Sequence, residues 1–244
     1  MNAVILAGGR IGDGESPKIN KALLNFKGYP MIKYVINALK NSESIENIMV
    51  IGNTEELKKV IGNEVDVLVA EKESIIDNLL LATDHFGEDH HILISTCDIP
   101  LLKGSMITDF IEKANHETIE LVYPIIEKDL CQKVFPDVKR TFVTLKDGSY
   151  TGGNLVLINP KAIDKIEKVA RLMVENRKNP VKMSSILGLK FLFKLLVRQL
   201  TIKEIENHIE KRFNIRATAL INQHPEIGND VDRVEDIKVL EKYI

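Results

Sequence analysis

Short runs of β-branched and aliphatic residues alternate with segments of helical periodicity along the first half of the chain. The runs have no polar face, which is typical of strands buried on both sides of a parallel sheet. We predict strands at Ala3–Ala7, Asn47–Gly52, Val65–Ala70, His91–Thr96, Ile119–Ile126 and Leu155–Ile158. We predict helices at Met31–Lys40, Glu55–Ile61, Ile75–His85 and Gly104–Asn115. The pattern indicates an α/β fold whose parallel sheet binds ligands at the carboxyl ends of its strands.

The second half of the chain has a looser pattern. Residues 128–150 are mixed and charged, with a turn signal at Asp147–Gly148. Further elements are predicted at Pro160–Asn176, Ser184–Leu200, Thr201–Phe213, Ile215–Ile221 and Val234–Tyr243. With no clear linker, we expect one domain over residues 1–244 with a helical insertion at about 160–213.

Composition excludes several classes of protein. With 44% hydrophobic residues, the 244-residue chain can bury a substantial core. A net charge of −2 gives no basic surplus, so no nucleic acid is expected as a partner. Two cysteines are too few for a disulfide framework and indicate reduced thiols. We read the N-terminus as a strand rather than a signal peptide, expect no membrane association, and predict a cytoplasmic protein.

A glycine-rich segment follows the first predicted strand, with glycines at positions 8, 9, 12 and 14. Glycines let a backbone approach a ligand and present its N–H groups, as a phosphate cradle requires. The segment lacks the Lys-Ser/Thr ending of a Walker loop and the spacing of the dinucleotide fingerprint. On the glycines alone, a flexible turn is an equally good interpretation.

The residues around this loop resemble a known superfamily. The pattern LAGG, then NKALL at 20–24, then GYPMI at 28–32 resembles the opening of nucleotidyltransferases with a three-layer α/β/α fold. These enzymes share the fold of nucleotide-diphospho-sugar transferases. Among them, the molybdenum cofactor guanylyltransferases have the most similar motif sequence. The resemblance implies transfer of a nucleoside monophosphate from an NTP to a phosphorylated small-molecule acceptor.

By this resemblance the loop and the lysine after it bind the triphosphate. The nucleotide would be held by Leu6, Ala7, Gly8 and Gly9, and its phosphates by Lys21. The family usually has an Arg-Met pair deeper in the loop, whereas the arginine here directly follows the glycines. We therefore assign Arg10, with Lys21, a catalytic role.

Two acidic segments predict a metal site. Asp98 follows a central strand and precedes Ile99-Pro100, matching the family's Asp-x-Pro that binds Mg²⁺. The segment from Asn229 to Asp236 resembles the family's ending, which makes Asp232 the second ligand and Asp230 the alternative. Two carboxylates with phosphate oxygens and waters suit Mg²⁺. Without the resemblance, both segments could equally be helix caps.

Further strand-end residues are candidates for binding the base and the acceptor. Asn53 and Glu71 correspond to nucleotide contacts of the molybdenum cofactor enzymes, or are a turn residue and a solvated carboxylate. That group's Gly-Pro-Leu-x-Gly segment is absent here. For the acceptor we select Gly153, Asn154 and Arg140. Other cations that could bind the acceptor phosphate are Lys133, Lys139, Arg177, Lys178 and Lys182.

The division of labour predicted from these positions is a nucleotide-binding half, residues 1–126, and an acceptor-binding half, residues 127–244. We expect the protein to be a monomer or a homodimer. Two other functional classes compete with the nucleotidyltransferase. A nucleotide-sugar glycosyltransferase would have Asp-x-Asp where Cys97-Asp98-Ile99 stands, and a non-catalytic nucleotide-binding module would have no need of Lys21 and both acidic sites.

An apolar segment from Ile186 to Leu200 stands out in the second half. Its three cations, Lys190, Lys194 and Arg198, recur every four residues and predict one basic stripe on a helix. Three interpretations compete: a helix packed on the domain with its stripe in water, an oligomer contact, and a lipid-facing helix.

Overall fold

The computed structural model of the protein describes residues 1–12, 18–114, 118–176 and 179–244. The strands are β1 (Asn2–Ala7), β2 (Arg10–Ile11), β3 (Ile19–Asn20), β4 (Asn25–Phe26), β5 (Tyr29–Pro30), β6 (Asn47–Gly52), β7 (Val67–Ala70), β8 (Ile92–Thr96), β9 (Leu121–Glu127), β10 (Val143–Leu145), β11 (Gly148–Gly152), β12 (Leu155–Ile158) and β13 (Ala217–Ile221). The α-helices are α1 (Met31–Lys40), α2 (Thr54–Ile61), α3 (Ile75–Phe86), α4 (Gly104–Lys113), α5 (Lys128–Val134), α6 (Ile163–Asn176), α7 (Pro180–Leu187), α8 (Leu189–Leu196), α9 (Ile202–Phe213) and α10 (Val234–Leu240).

Nine of the described strands form one mixed sheet in the order β10-β11-β9-β12-β8-β1-β6-β7, with β13 paired to β9. β1 lies between β8 and β6 and is parallel to both, and β7 continues the parallel set beyond β6. Only β11 and β12 run against their neighbours within this sheet of described strands. The carboxyl ends of β1, β6, β7 and β8 therefore share one edge, where parallel sheets bind ligands.

Helices cover both faces of the sheet because successive side chains of a strand point to opposite sides. Ala3 and Ile5 of β1 pack with α1 and α4, represented by Ile36 and Phe110. Val4 packs on the other face with residues of α3 and α6. The predicted three-layer fold with a mostly parallel sheet is thus confirmed.

The pairing with β9 changes register between β11 and β12. β12 places Leu157 opposite Val122, whereas β11 places Gly152 opposite Ile125. Four residues on this side therefore face two on β9, which is a bulge. Bulges re-aim side chains and are common beside active sites. Asn154 lies in this bulge.

Two segments differ from the sequence prediction. The mixed region 128–150 forms α5 and the β10–β11 hairpin. The predicted helix over Ser184–Leu200 is broken at Gly188, which has φ 88°, and its second half ends at Leu196. A glycine at positive φ ends a helix, because a right-handed helix requires negative φ at every residue. Lys190 and Lys194 both lie on α8, whereas Arg198 has φ 57° and lies beyond its end, so the prediction of all three cations on one helical stripe was wrong.

Among the described residues, no helix combines the length and the apolar character required to cross a bilayer. Both cysteines, Cys97 and Cys131, are buried and unpaired.

Candidate active site at the carboxyl ends of the strands

The glycine loop begins where β1 ends, and one buried asparagine at the end of the loop ties it back to β1. The side chain of Asn20 donates to the Ala7 carbonyl oxygen at 3.0 Å and accepts from the Ala22 amide at 2.9 Å. The Lys21 amide donates to the Gly9 carbonyl oxygen at 2.8 Å. The loop is therefore closed at its base, and Lys21 begins beside Gly9. Residues 13–17, including Gly14, lie outside the described residues.

Lys21 connects the two acidic segments. Its Nζ lies 2.9 Å from Asp98 Oδ2 and 3.0 Å from Asp232 Oδ1. Burial alone would lower the pKa of Lys21, but the charges and hydrogen bonds of the two carboxylates outweigh it and raise the pKa above its ordinary value. Burial would raise the pKa of Asp232, yet Lys21 holds it below the usual range. The ammonium is thus charged and shared by two carboxylates.

Backbone contacts bring these carboxylates together. The Val231 amide donates to the Asp98 carbonyl oxygen at 2.9 Å, so the segment before α10 lies against the turn after β8. The Asp232 and Arg233 amides both donate to Asp236 Oδ2, which holds the start of α10 in place. Asp98 is buried and Asp232 is exposed, so Lys21 links a carboxylate of the interior to one at the surface.

The donor set fits a divalent cation. Asp98 Oδ1 is buried and has no hydrogen-bond partner within the described ranges, and the same holds for Thr96 Oγ1. Buried polar atoms without partners are rare and point to a missing ligand. The Lys21 ammonium is a cation between Asp98 and Asp232, as a metal ion would be. In the described part of the chain, no three His, Cys, Asp or Glu side chains cluster, so such an ion would depend on nucleotide oxygens and waters.

The other residues selected for nucleotide binding divide into two groups. Glu71 reaches the glycine loop: its Oε2 lies 1.7 Å from the place that a Cβ on Gly8 would take. Asn53 caps α2 by accepting from the Glu56 amide at 3.1 Å, as expected for a turn residue. Arg10 lies in the loop's short hairpin but points to Glu56, 3.4 Å away, rather than to Lys21.

A second charged network surrounds the residues predicted to bind the acceptor. Arg140 Nη1 forms an ion pair with Asp230, and its Nη2 donates to the Gly152 carbonyl oxygen at 3.5 Å. Asn154 Nδ2 donates to the Ile227 carbonyl oxygen at 3.1 Å and to Asp230 Oδ1 at 3.4 Å. Both side chains therefore hold Asp230, two residues before Asp232.

Gly153 is required in this bulge by close packing. A Cβ there would lie 2.8 Å from Ile227 Cγ2 and 2.9 Å from Pro124 Cγ, and its amide donates to the Pro124 carbonyl oxygen. Among the additional cations, Lys133, Lys139 and Lys182 are exposed. Arg177 and Lys178 lie outside the described residues.

Sequence reasoning missed three contributors. Asn20 was seen only as part of a motif, although a buried asparagine after a glycine loop is itself a signal of backbone bonding. Asp230 was an alternative metal ligand, whereas the structure pairs it with Arg140. Tyr123 has its hydroxyl 2.0 Å from the place of a Gly152 Cβ. Its position within a strand gave no sequence signal.

Comparison with known proteins agrees with this geometry. The sequence profile described as the MobA-like NTP transferase domain matches residues 3–179. The chain belongs to the MobA-like NTP transferase family. A hypothetical transferase from Thermus thermophilus has a similar structure, with a TM-score of 0.84, 31% identity, and coverage of 97% of this chain and 98% of that one.

More distant proteins share parts of the likeness. A CMP:2-keto-3-deoxy-manno-octonic acid synthetase complexed with CTP has a TM-score of 0.64 at 13% identity over 99% of this chain and 98% of that one, which shows the fold alone. The bifunctional protein GlmU from Desulfitobacterium hafniense strain Y51 is 25% identical over 111 residues, 45% of this chain and 24% of that protein. The match thus spans about a quarter of the length of that curated relative. The predicted nucleotidyltransferase family is confirmed.

Proposed function

We propose that this protein is a Mg²⁺-dependent nucleotidyltransferase that moves a nucleoside monophosphate from an NTP to a phosphorylated small-molecule acceptor and releases pyrophosphate. The observation that carries the proposal is the position of Lys21 Nζ, 2.9 Å from Asp98 and 3.0 Å from Asp232, beside the glycine loop. The family supports the transfer of nucleotides. The metal, the acceptor and the residue roles are our inference.

The chemistry requires charge stabilisation more than proton transfer. An oxygen of the acceptor phosphate forms a bond to the α-phosphorus while the bond from that phosphorus to the pyrophosphate oxygen breaks, and pyrophosphate leaves with the electron pair. A phosphate is already ionised at pH 7, so no strong general base is required. Negative charge grows on the transferred group and the leaving group, where Lys21 and the loop amides stabilise it.

Asp98 and Asp232 are the residues that would hold Mg²⁺. When bound, the ion would neutralise charge on the phosphate oxygens. Lys21 would then exchange at least one carboxylate contact for a phosphate contact. Because anionic oxygens of a carboxylate or a phosphate would face its ammonium at every stage, Lys21 would stay positively charged throughout this exchange.

The two halves of the chain would divide the substrates. Leu6, Ala7, Gly8 and Gly9 would contact the nucleotide, with Glu71 reaching the same loop. On the other side, Arg140 is held by Asp230 and the Gly152 carbonyl oxygen and would direct its remaining guanidinium N–H groups to the acceptor phosphate. Asn154 and Gly153 would support that side through Asp230 and the bulge rather than by direct contact with the acceptor.

For the donor base, GTP is the first candidate, as in the molybdenum cofactor guanylyltransferases, and CTP or UTP with a sugar phosphate or another phosphorylated acceptor is the alternative. The alternative is supported by residues 73–78. Where the guanylyltransferases carry Gly-Pro-Leu-x-Gly, this chain starts α3, with the Ser74 side chain accepting from the Asp77 amide at 3.0 Å. This departure removes the segment that would accompany guanine.

A thermal-shift screen of GTP, CTP, UTP and ATP with Mg²⁺ tests the proposal. A ligand at 100 times its Kd stabilises a protein by about 2.7 kcal/mol, or about 5–10 °C in Tm for a chain of this size. We expect one NTP to produce a shift of this order, and that NTP to release pyrophosphate when phosphorylated acceptors are added. Asp98→Asn is the matched control.

Two outcomes would contradict the proposal. Transfer of sugar from a nucleotide sugar, without pyrophosphate release, would identify a glycosyltransferase. Nucleotide binding without turnover on any phosphorylated acceptor would favour the non-catalytic module.

A further inference from the structure

Large apolar side chains cover the outer face of α8. Leu189 is 75% exposed, Phe193 65% and Leu196 80%, and Val197 follows at 44%. These positions are four and three residues apart, so they lie on one face of the helix. Exposed apolar side chains are ordinary when scattered, but a contiguous set marks an interaction surface. We call these four residues the α8 outer face.

The opposite side of α8 is packed against the domain. Phe191 and Leu195 join a cluster with Leu145, Tyr150 and Leu200, and the ring of Phe191 stacks on His208 with centroids 4.2 Å apart. The helix is thus fixed in place by its inner face. The α8 outer face is presented to solvent by a packed element.

The segment that contains this face carries charge of one sign. Residues 180–201 contain four cations and no Asp or Glu, although the whole chain carries a net charge of −2. Lys182, Lys190 and Arg198 are exposed, and Lys194 is offset by Glu204 of α9 at 2.5 Å. The apolar face is therefore bordered by basic side chains with little acidic compensation.

We propose that the α8 outer face docks on an anionic lipid membrane. An anionic bilayer offers apolar chains to the four outer residues and negative headgroups to the cations beside them. A second copy fits less well, because a symmetric interface would bring the same cations together. α8 has eight residues, about 12 Å of helix, so it would lie in the interface rather than span it.

This inference goes beyond the proposed nucleotidyl transfer and does not depend on it. It departs from the sequence expectation of no membrane association and favours the lipid-facing helix among the three interpretations of the segment from Ile186 to Leu200. The break at Gly188 and the inward packing of Phe191 leave Leu189, Phe193 and Leu196 exposed on the outer side of the helix.

Vesicle co-sedimentation tests the proposal with the full-length chain. We expect binding to vesicles of phosphatidylcholine with about one third phosphatidylglycerol, and much weaker binding to phosphatidylcholine alone. Phe193→Glu should weaken binding at least about tenfold, because it removes one large apolar side chain that would enter the bilayer and adds a negative charge. Lys190→Gln should weaken it about fivefold. Ile244→Glu is the matched control, since Ile244 is 60% exposed and lies at the C-terminus, outside the α8 outer face.

Unchanged Tm of the variants would show that each still folds. Absence of binding to the anionic vesicles, or equal binding by wild type and Phe193→Glu, would overturn the proposal. So would a dimer, measured by sedimentation velocity without lipid, that Phe193→Glu dissociates, because a second copy would then cover the face.

Discussion

The proposed nucleotide side and the proposed acceptor side of the site are built in different ways. On the nucleotide side, Gly8 and Asp98 each follow a parallel strand within two residues, and Lys21 is anchored by one hydrogen bond to Gly9. On the acceptor side, Arg140 meets Asp230 across 90 residues and Asn154 meets it across 76. Both arrangements bring distant segments together, but the first places its residues at the carboxyl ends of neighbouring parallel strands, whereas the second joins a loop, a bulge and the segment before α10.

The two sides also differ in how their charges are satisfied. Lys21 is shared by two carboxylates, and one oxygen of Asp98 has no partner within the described residues. Arg140 and Asp230 form a closed pair supported by Asn154 and a backbone carbonyl. The difference indicates that the nucleotide side can exchange its contacts for substrate, while the acceptor side is largely preorganised. Substitutions on the first should affect turnover, and on the second, affinity.

The largest effect is expected for Asp98→Asn compared with Asp230→Asn. Asp98→Asn removes the buried charge beside Lys21 and should lower pyrophosphate release by more than about 10³-fold, beyond the loss expected for one preorganised group. Asp230→Asn retains Lys21, Asp98 and Asp232 and should mainly raise the KM of the acceptor. Steady-state kinetics with both substrates varied measures this. Full activity of Asp98→Asn would remove it from the site.

An intermediate effect is expected for Lys21→Ala. Its ammonium should act on charge that develops during the reaction, so kcat should fall about 10²–10³-fold with a smaller change in NTP affinity. Arg10→Ala is the matched control from the same loop, and because Arg10 pairs with exposed Glu56 its effect should be smaller. If Arg10→Ala were the more damaging of the two, the nucleotide side would be wrongly assigned.

The smallest effect is expected on the acceptor side. Asn154→Ala removes hydrogen bonds to Asp230 and to the Ile227 carbonyl oxygen. The KM of the acceptor should therefore rise about tenfold, which corresponds to about 1.4 kcal/mol of binding free energy. The KM of the NTP should change less. Asn159→Ala, at the other end of β12, is the control. Equal changes in both KM values would show that the bulge only shapes a turn.

The secondary structure of the first half of the chain was easier to predict from the sequence than that of the second half. The strands and helices that were predicted in the first half agree with the structure to within about two residues, because apolar periodicity reports burial directly, but the short strands β2 to β5 were missed. In the second half, the β10–β11 hairpin and the break of the helix at Gly188 were missed. The hairpin pairs with β9 through tertiary contacts, and a glycine within an apolar helical pattern does not reveal its φ angle.

The sequence by itself determined the parallel sheet, the family, and the strand ends at which Gly8, Glu71 and Asp98 lie, since local patterns encode burial and chain reversal. Only the tertiary structure decided that Lys21 lies between Asp98 and Asp232, 211 residues away from the latter, and that Arg140 holds Asp230. These contacts depend on the path of the whole chain, because a charged side chain carries no local signal of its partner.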